Sequence, residues 1–434
     1  MSNILSLVGR PNVGKSTLFN RLTQTREAIV DAVAGVTRDR NYGKSDWCGY
    51  EFSVIDTGGY VVGSTDIFEA EIRKQAALAI EESDVILLVV DGREGLSPLD
   101  EEIAALLRRS KKPFYLAVNK IDSPRNYFDY TEFYALGVDN IFPISAVSGS
   151  GTGDLLDAVV THFTKESDTI EDELPKIAVV GKPNVGKSSI INAFLGEDRH
   201  IVTPLAGTTR DSIYTRYTGF GFDFYLVDTA GLRKKKKVED NLEFYSVMRA
   251  VRAIENSDVC ILMADAFSGF DAQDINIFSL ITRNHKGVVV VMNKWDLVEK
   301  DNNTYRQYED LVRKRLEPFD DVPIIFTSVL NKQRIYKVIE TAIQIHKNRR
   351  QKIATSELND YLLPLIQNTP PPIYRDKMVR IKFVMQLPTA IPSFAFFCNL
   401  PQYVKDSYKR YLENRIREHW NFSGVPIEIY FRQK

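Results

Sequence analysis

The chain has 434 residues, enough for about three domains of ordinary size. Its composition, 44% hydrophobic and 26% charged, excludes a protein that is disordered throughout. No apolar stretch approaches the ~20 residues of a membrane-spanning helix, and the first residues lack the basic region and cleavage site of a secretory signal. Three scattered cysteines, Cys48, Cys260 and Cys398, have neither disulfide nor metal-ligand spacing. We therefore expect a cytoplasmic protein with no membrane span.

Charge is distributed unevenly along the chain. The net charge is −1, but residues 350–434 contain 13 basic and 7 acidic residues and so carry +6. This basic end indicates either a polyanionic partner or simply a solvated basic face, and charge alone does not separate the two.

Four short motifs occur twice in the same order, at offsets of 172 to 174 residues. The paired segments are 9–16 with 181–188, 37–39 with 209–211, 56–59 with 228–231, and 119–122 with 293–296. This period is far longer than that of a solenoid repeat. The sequence therefore predicts one domain that is duplicated in tandem.

Each copy alternates short apolar, β-branched stretches with segments of helical pattern. The predicted strands are 4–8, 51–55, 85–90, 114–118 and 140–143 in the first copy, and 177–180, 223–227, 259–263, 288–292 and 324–326 in the second. The intervening segments are long enough for crossover helices. We predict the α/β class, with a doubly wound, mostly parallel sheet in each copy.

The remaining segments differ in character. The boundaries predict a first copy at 1–165, an acidic linker at 166–175, a second copy at 176–348 and a small α+β module at 349–434. The module reads as a helix at 356–367, strands at 378–386 and 393–399, a helix and a final strand at 426–431. One face of its second helix carries Val404, Tyr408, Leu412, Ile416 and Trp420.

Gly-x-x-x-x-Gly-Lys-Ser, the P-loop pattern, follows the first predicted strand of each copy. Its glycines let backbone N–H groups converge on phosphates, at the positive end of a helix. The alternative, a turn with an exposed lysine, is negligible when the pattern occurs twice in this context. The predicted residues are Gly9, Arg10, Pro11, Asn12, Val13, Gly14, Lys15 and Ser16, and Gly181, Lys182, Pro183, Asn184, Val185, Gly186, Lys187 and Ser188.

Asn-Lys-x-Asp follows a later strand in both copies and selects the base. A carboxylate there accepts two hydrogen bonds from guanine, whereas adenine presents an acceptor and leaves the carboxylate unpaired. The asparagine would brace the loop, and the aliphatic stem of the lysine would cover the base. The predicted residues are Asn119, Lys120, Ile121 and Asp122, and Asn293, Lys294, Trp295 and Asp296. A backbone N–H for the guanine oxygen is expected from Ser145-Ala146, and from Ser328-Val329 in the second copy.

Mg²⁺ is the predicted metal, and the loops that follow the P-loop would sense the γ-phosphate. Its predicted ligands are Ser16, Thr37 and Asp56, and Ser188, Thr209 and Asp228. The Asp-x-x-Gly segments add Thr57, Gly58, Gly59 and Tyr60, and Thr229, Ala230, Gly231 and Leu232. The catalytic candidates are Lys15, Thr37, Gly59, Lys187, Thr209 and Gly231.

With these motifs, and with residues 399–401 and 406–414 of the basic module, the chain resembles the Der (EngA) family over essentially its whole length. The family has tandem Era-like GTPase domains followed by a KH-like domain. The resemblance implies a bacterial GTPase that makes GDP and phosphate and assists late assembly of the large ribosomal subunit by binding rRNA. It also implies that the KH-like module packs between the two GTPase domains. We expect a monomer. The alternatives are a GTPase of another RNA pathway and a GTP/GDP-sensing scaffold with one non-hydrolysing site.

The residue after each Asp-x-x-Gly segment departs from simpler GTPases. Tyr60 and Leu232 stand where Ras-like enzymes place a water-orienting glutamine. Related GTPases without it use potassium held by the P-loop asparagine, so Asn12 and Asn184 predict K⁺ binding; the alternative is that each asparagine only stabilises its turn.

Two basic or proline-rich segments bear on RNA binding. Residues 233–237 are either an RNA-contacting surface or a solvated charge run. The module has no Gly-x-x-Gly loop, and 370–372 are prolines, which favours protein packing over direct RNA reading. Tyr411, Trp420 and Phe422 are accordingly expected in the core.

Overall fold

The computed structural model describes residues 3–23, 42–57, 76–77, 79–80, 83–121, 124–163, 174–195, 214–219, 221–227, 250–299, 301, 303–373 and 377–433. The chain divides into two compact units, Met1–Asp172 and Glu173–Lys434. The first unit holds the first copy. The second unit holds the second copy together with the terminal module.

The first copy is a six-stranded sheet with helices on both faces. Its strands are β1 (Asn3–Val8), β2 (Tyr42–Trp47), β3 (Tyr50–Asp56), β4 (Val85–Asp91), β5 (Phe114–Asn119) and β6 (Ile141–Pro143), in the order β2-β3-β1-β4-β5-β6. The helices are α1 (Lys15–Thr23), α2 (Pro98–Ser110) and α3 (Thr152–Val160), with a 3₁₀ helix at Pro124–Leu136. Because the order reverses around β1, a crevice opens at the carboxyl ends of β1 and its neighbours.

β4 shows why the sheet must be covered on both sides. Its residues are fully buried, and alternate side chains enter two different cores. Val85, Leu87 and Val89 pack in the core that includes α1 and α3, whereas Ile86, Leu88 and Val90 pack in the core that includes α2. A continuous apolar strand of this kind is stable only between two helical layers.

The second copy repeats this arrangement. Its strands are β7 (Lys176–Gly181), β8 (Tyr214–Gly219), β9 (Phe222–Val227), β10 (Val259–Asp265), β11 (Gly287–Asn293) and β12 (Ile324–Phe326), in the order β12-β11-β10-β7-β9-β8. Its helices are α4 (Lys187–Leu195), α5 (Ala272–Arg283), α6 (Thr304–Leu316) and α7 (Ile335–Arg349), with a 3₁₀ helix at Trp295–Leu297. The predicted α/β class and the tandem duplication are confirmed.

One strand in each copy was missing from the sequence prediction. β2 and β8 lie at the sheet edge and pair antiparallel with β3 and β9, so each sheet has six strands rather than five. β2 buries only Ser45 and carries no apolar alternation. Backbone pairing and the tight turn at Cys48–Gly49, where both residues have positive φ, define it instead.

The terminal module has the predicted α-β-β-α-β order. It consists of α8 (Thr355–Asn368), β13 (Ile381–Gln386), β14 (Ser393–Cys398), a 3₁₀ turn at Pro401–Tyr403, α9 (Asp406–His419) and β15 (Glu428–Gln433). β14 pairs antiparallel with β13 and parallel with β15. The first strand starts three residues later than predicted, and Val404 and Trp420 flank α9 rather than lie within it.

The module and the second copy share one hydrophobic core. Leu412 of α9 and Phe422 belong to the same buried cluster as Ile345 of α7. Trp420 is only 6% exposed and Phe422 is fully buried, while Tyr411 is partly buried against the same cluster. All three aromatic rings therefore serve packing, as the sequence predicted.

The loop 421–425 connects the two parts by backbone hydrogen bonds. The N–H of Val288 donates to the carbonyl of Gly424 at 2.7 Å, and the N–H of Gly424 donates to that of Asp321 at 2.8 Å. Arg417 adds an ion pair to Asp321 at 3.2 Å. The second copy and the module are consequently one packed body.

In the part of the chain described, no helix combines the length and apolar composition needed to cross a membrane. Cys48, Cys260 and Cys398 are free thiols.

Gly424→Ala is expected to destabilise the second unit by about 2–4 kcal/mol, since φ is +74° there and a Cβ would lie 2.8 Å from the carbonyl oxygen of Val288. Gly221→Ala is the matched control, because φ is +80° but no atom lies within 4 Å of its Cβ position. It should cost only the backbone strain, about 1–2 kcal/mol. Calorimetric unfolding measures both; equal losses would contradict the close approach.

Candidate nucleotide-binding sites

The P-loop of the first copy joins β1 to α1 and needs glycine at two positions. Gly9 has φ +152° and Gly14 has φ +94°. A Cβ on Gly9 would overlap the carbonyl oxygen of Val89, and one on Gly14 would overlap the side-chain amide of Asn119. The loop can therefore lie directly against the carboxyl ends of β4 and β5 only because these residues lack side chains.

The second P-loop repeats both close approaches. Gly181, at φ +146°, lies against the carbonyl of Met263, and Gly186, at φ +101°, lies against the amide of Asn293. The two loops thus share one backbone path, which presents successive N–H groups at a helix N-terminus.

The P-loop lysines fold back onto their own loops. The Nζ of Lys15 donates to the carbonyls of Gly9, at 2.8 Å, and Arg10, at 2.7 Å. Lys187 makes the same two bonds in the second copy. Burial lowers the pKa of Lys15 to about 8. Each ammonium group is therefore held at the mouth of the loop, where phosphate oxygens could replace the carbonyls.

The second residue of each P-loop is anchored by a buried carboxylate. Arg10 pairs with Asp100 at 3.2 Å, and Lys182 pairs with Asp274 at 3.1 Å; both aspartates are fully buried. Burial raises the pKa of Asp274 to about 6. Sequence reasoning missed this anchor, although the two aspartates recur at the same offset of 174 as the base motif.

The asparagine of each P-loop has a left-handed backbone. Asn12 has φ +65° and Asn184 has φ +64°, a conformation that asparagine tolerates better than most residues. Both are exposed, and neither side chain makes a hydrogen bond with the residues that the structure describes. These side chains are therefore accessible to a cation, and the geometry is also that of a turn residue.

Two predicted magnesium ligands meet in the first site. The hydroxyl of Ser16 donates to Oδ2 of Asp56 at 2.7 Å, and Asp56 is fully buried at the end of β3. The neighbouring Thr57 hydroxyl donates to the carbonyl of Leu7 at 2.8 Å, which fixes the end of this strand. A hydroxyl beside a carboxylate is the hard-oxygen donor set that Mg²⁺ prefers, so these residues fit the metal.

Other predicted residues fall outside the described part of the chain. In the second site Ser188 is described, half-buried at the start of α4. Those outside are Thr37, Gly58, Gly59, Tyr60, Asp122, Thr209, Asp228, Thr229, Ala230, Gly231 and Leu232, together with the basic run 233–237.

A single asparagine side chain joins the phosphate and base loops of each copy. The Nδ2 of Asn119 donates to the carbonyl of Val13 at 2.8 Å, while its Oδ1 accepts the N–H of Ala146 at 2.8 Å. In the second copy Asn293 bridges Val185 and Val329 at 2.9 and 3.1 Å. Ser328-Val329 therefore occupies the same structural position as Ser145-Ala146.

These bonds refine the predicted contact to guanine. The N–H groups of Ala146 and Val329 are already donated to the asparagines. The following N–H groups, of Val147 and Leu330, make no hydrogen bond to any residue in the described ranges. In each base loop, this N–H group is therefore available to donate a hydrogen bond to a ligand.

The lysines of the base motif are held by a second pair of acidic residues that sequence reasoning missed. Lys120 pairs with Asp91, and Lys294 pairs with Asp265 at 2.6 Å. Asp91 and Asp265 end β4 and β10, in register with Asn119 and Asn293. This pairing fixes the aliphatic stem of each lysine beside the loop.

The remaining base-motif residues divide into packing and exposed positions. Ile121 and Trp295 are buried, and the ring of Trp295 lies 4.4 Å from that of Phe326. Asp296 is half-buried in the 3₁₀ helix, and within the described chain its carboxylate has no hydrogen-bond partner. A half-buried carboxylate beside the loop is suited to accept hydrogen bonds from a ligand.

GDP affinity of the first site is expected to fall about fourfold between pH 7 and 8.5, because Lys15, with its pKa of about 8, must be protonated to bind phosphate. Calorimetry on the full chain carrying Lys187→Ala, which silences the second site, would measure this fall. Buffers of different ionisation enthalpy should report proton uptake on binding. An affinity that stays constant over this pH range would contradict the lowered pKa.

Comparisons with known proteins agree with this geometry. Residues 4–120 and 176–294 match the family described as 50S ribosome-binding GTPase. Residues 352–432 match the KH-domain-like region of EngA bacterial GTPase enzymes, C-terminal.

Full-length relatives and a solved structure were also found. The chain is 61% identical to GTPase Der of Christiangramia forsetii over 434 residues, covering 100% of both chains. It is 62% identical to GTPase Der of Phocaeicola vulgatus over 437 residues, again covering 100% of both. The G domain of the T. maritima FeoB iron transporter is 27% identical, with a TM-score of 0.29, over 38% of this chain and 100% of that one. The chain binds guanine nucleotides as a GTPase and belongs to the Der family, with two GTPase domains and a C-terminal KH-like domain.

Proposed function

We propose that this GTPase is a two-site switch that assists late assembly of the large ribosomal subunit, with its nucleotide state controlling its binding to rRNA and ribosomal particles. The observation that carries the proposal is the asparagine bridge repeated in both copies, since it joins a phosphate loop to a base loop twice in one chain. The protein would act in the cytoplasm as a monomer.

Each residue of the two sites would contact a different part of the nucleotide or its metal ion. Lys15 and Lys187 would leave the loop carbonyls to contact the β- and γ-phosphates, and Asp122 and Asp296 would accept the two guanine donors. Ser16 and Asp56 would hold Mg²⁺ in the first site, and Ser188 and Asp228 in the second. When bound, the metal supplies positive charge to the phosphate oxygens. Thr37 and Thr209 would join these ligands when the γ-phosphate is present, and Gly59 and Gly231 would contact that phosphate.

Support for a ribosomal partner comes from the match to the 50S ribosome-binding GTPase family and from the basic terminal module. Because Trp420 and Phe422 are buried in the shared core, they are not available to stack on RNA bases. We propose that the module contributes through its basic surface and its packing on the second copy. The run 233–237 would add a further phosphate-contacting surface.

Co-sedimentation with large ribosomal subunits tests the switch. Binding is expected to be at least about tenfold stronger with a non-hydrolysable GTP analogue than with GDP, the population shift that a modest coupling free energy produces. Lys15→Ala and Lys187→Ala chains show which site controls it. Association that is equal in all nucleotide states would overturn the switch and leave only a binding role.

Potassium dependence tests the roles of Asn12 and Asn184. If their exposed side chains hold K⁺ beside the phosphates, GTP turnover should be about tenfold or more faster in KCl than in matched NaCl, the scale of one added transition-state charge interaction. Asn12→Ala and Asn184→Ala should each remove the stimulation of their own site. Equal turnover in both salts would leave the asparagines as turn residues alone.

A further inference from the structure

Arg21 connects α1 to the base loop of the first site. It lies six residues after Lys15 on the helix that the P-loop opens. Its Nε donates to the carbonyl of Ala146 at 2.5 Å, and its Nη2 donates to the carbonyl of Val147. A side chain in the last turn of the helix that the P-loop opens therefore holds the base loop.

The first of these bonds fixes the orientation of a peptide plane. In a planar trans peptide the carbonyl and the N–H point in opposite directions. Since Arg21 holds the oxygen of Ala146, the N–H of Val147 in the same peptide points away from the guanidinium. That N–H is available to donate to a ligand, whereas the N–H of Ala146 already donates to Asn119.

Among the residues of the second copy that the structure describes, no side chain makes this connection. Ala193 occupies the position of Arg21, and the carbonyl of Val329 accepts instead from the N–H of Lys332 at 3.2 Å, a bond within the loop. Lys332 occupies the position of Gly149. A Cβ on Gly149 would lie 2.8 Å from Nη1 of Arg21, so the arginine and the glycine fit together.

We propose that Arg21 is a positioning residue for guanine in the first site, where it aligns the N–H of Val147 with the carbonyl oxygen of the base, and that among the described residues of the second site no side chain takes this role. The inference rests on the proposed recognition of guanine. It adds a specificity-determining contact that acts through the loop backbone and belongs to one copy alone.

Truncating Arg21 should leave the fold intact. The side chain is half-buried and lines a cavity of about 440 Å³ that also includes Trp47 and Thr152, so its removal enlarges an existing space. Arg108→Ala, at an exposed position of α2, is the matched control.

Release of mant-GDP from the full chain carrying Lys187→Ala is the first measurement. Arg21→Ala should release the nucleotide about tenfold faster, the effect of losing one charge-assisted hydrogen bond. Arg21→Lys should restore part of the loss, and Arg108→Ala should match the parent. Release from Arg21→Ala at the parent rate would overturn the proposal.

Base discrimination separates positioning from general loosening. Sulfur is a poor acceptor, so 6-thio-GDP tests the contact to the guanine oxygen directly. The parent should prefer GDP over 6-thio-GDP, and Arg21→Ala should reduce that preference about threefold or more. A variant that weakens both ligands equally would assign Arg21 a structural role only and overturn the proposal.

Grafting the pair into the second site gives the reciprocal test. In a Lys15→Ala chain, Ala193→Arg combined with Lys332→Gly should slow mant-GDP release, whereas Ala193→Arg alone should do so less because the Cβ of Lys332 occupies the required space. Release at an unchanged rate would count against the proposal. A parent chain that binds ATP as well as GDP would instead show that the proposed function itself has failed.

Discussion

The buried side-chain amide of Asn119, like that of Asn293, is the interaction on which each nucleotide site depends. It donates to the P-loop and accepts from the base loop, so two loops that follow different strands are held at one separation. A net hydrogen bond contributes only about 1 kcal/mol, but leaving either buried loop group without its partner costs about 1–3 kcal/mol. This asymmetry makes the separation stiff. Because the distance between the phosphate contacts and the base contacts is fixed, only a ligand with a phosphate and a base at that spacing can make both sets of contacts at once.

The same amide explains the glycines around it. Gly14 and Gly186 pass so close to Asn119 and Asn293 that a side chain would occupy the space of the amide. The motif glycines are therefore as much a requirement of the bridge as of phosphate binding.

Both motifs could be predicted from the sequence because they are short, local and repeated. The strands beneath them could be predicted because buried parallel strands are continuously apolar. β4 and β10 were predicted almost to the residue for this reason.

What could not be predicted depends on partners that are distant in sequence or on the backbone alone. β2 has little apolar pattern, and its pairing with β3 is visible only in three dimensions. Asp91 and Asp265 look like ordinary strand ends until the register places them beside the base motif. Arg21 resembles any exposed helical arginine, although its partner is 125 residues away. Aligning the two copies shows that Arg21 of the first corresponds to Ala193 of the second. That difference is visible in the sequence, but no local sequence pattern predicts that the arginine contacts the base loop.

The shared core of the second copy and the KH-like module has a mechanical consequence. Ile345, Leu412 and Phe422 lie in one buried cluster, and loop 421–425 is hydrogen-bonded to the edge of the second copy. Dense packing of this kind transmits displacement instead of absorbing it. The second nucleotide site and the module must therefore move as one rigid body. A conformational change at that site would displace the module directly, with no flexible hinge between them.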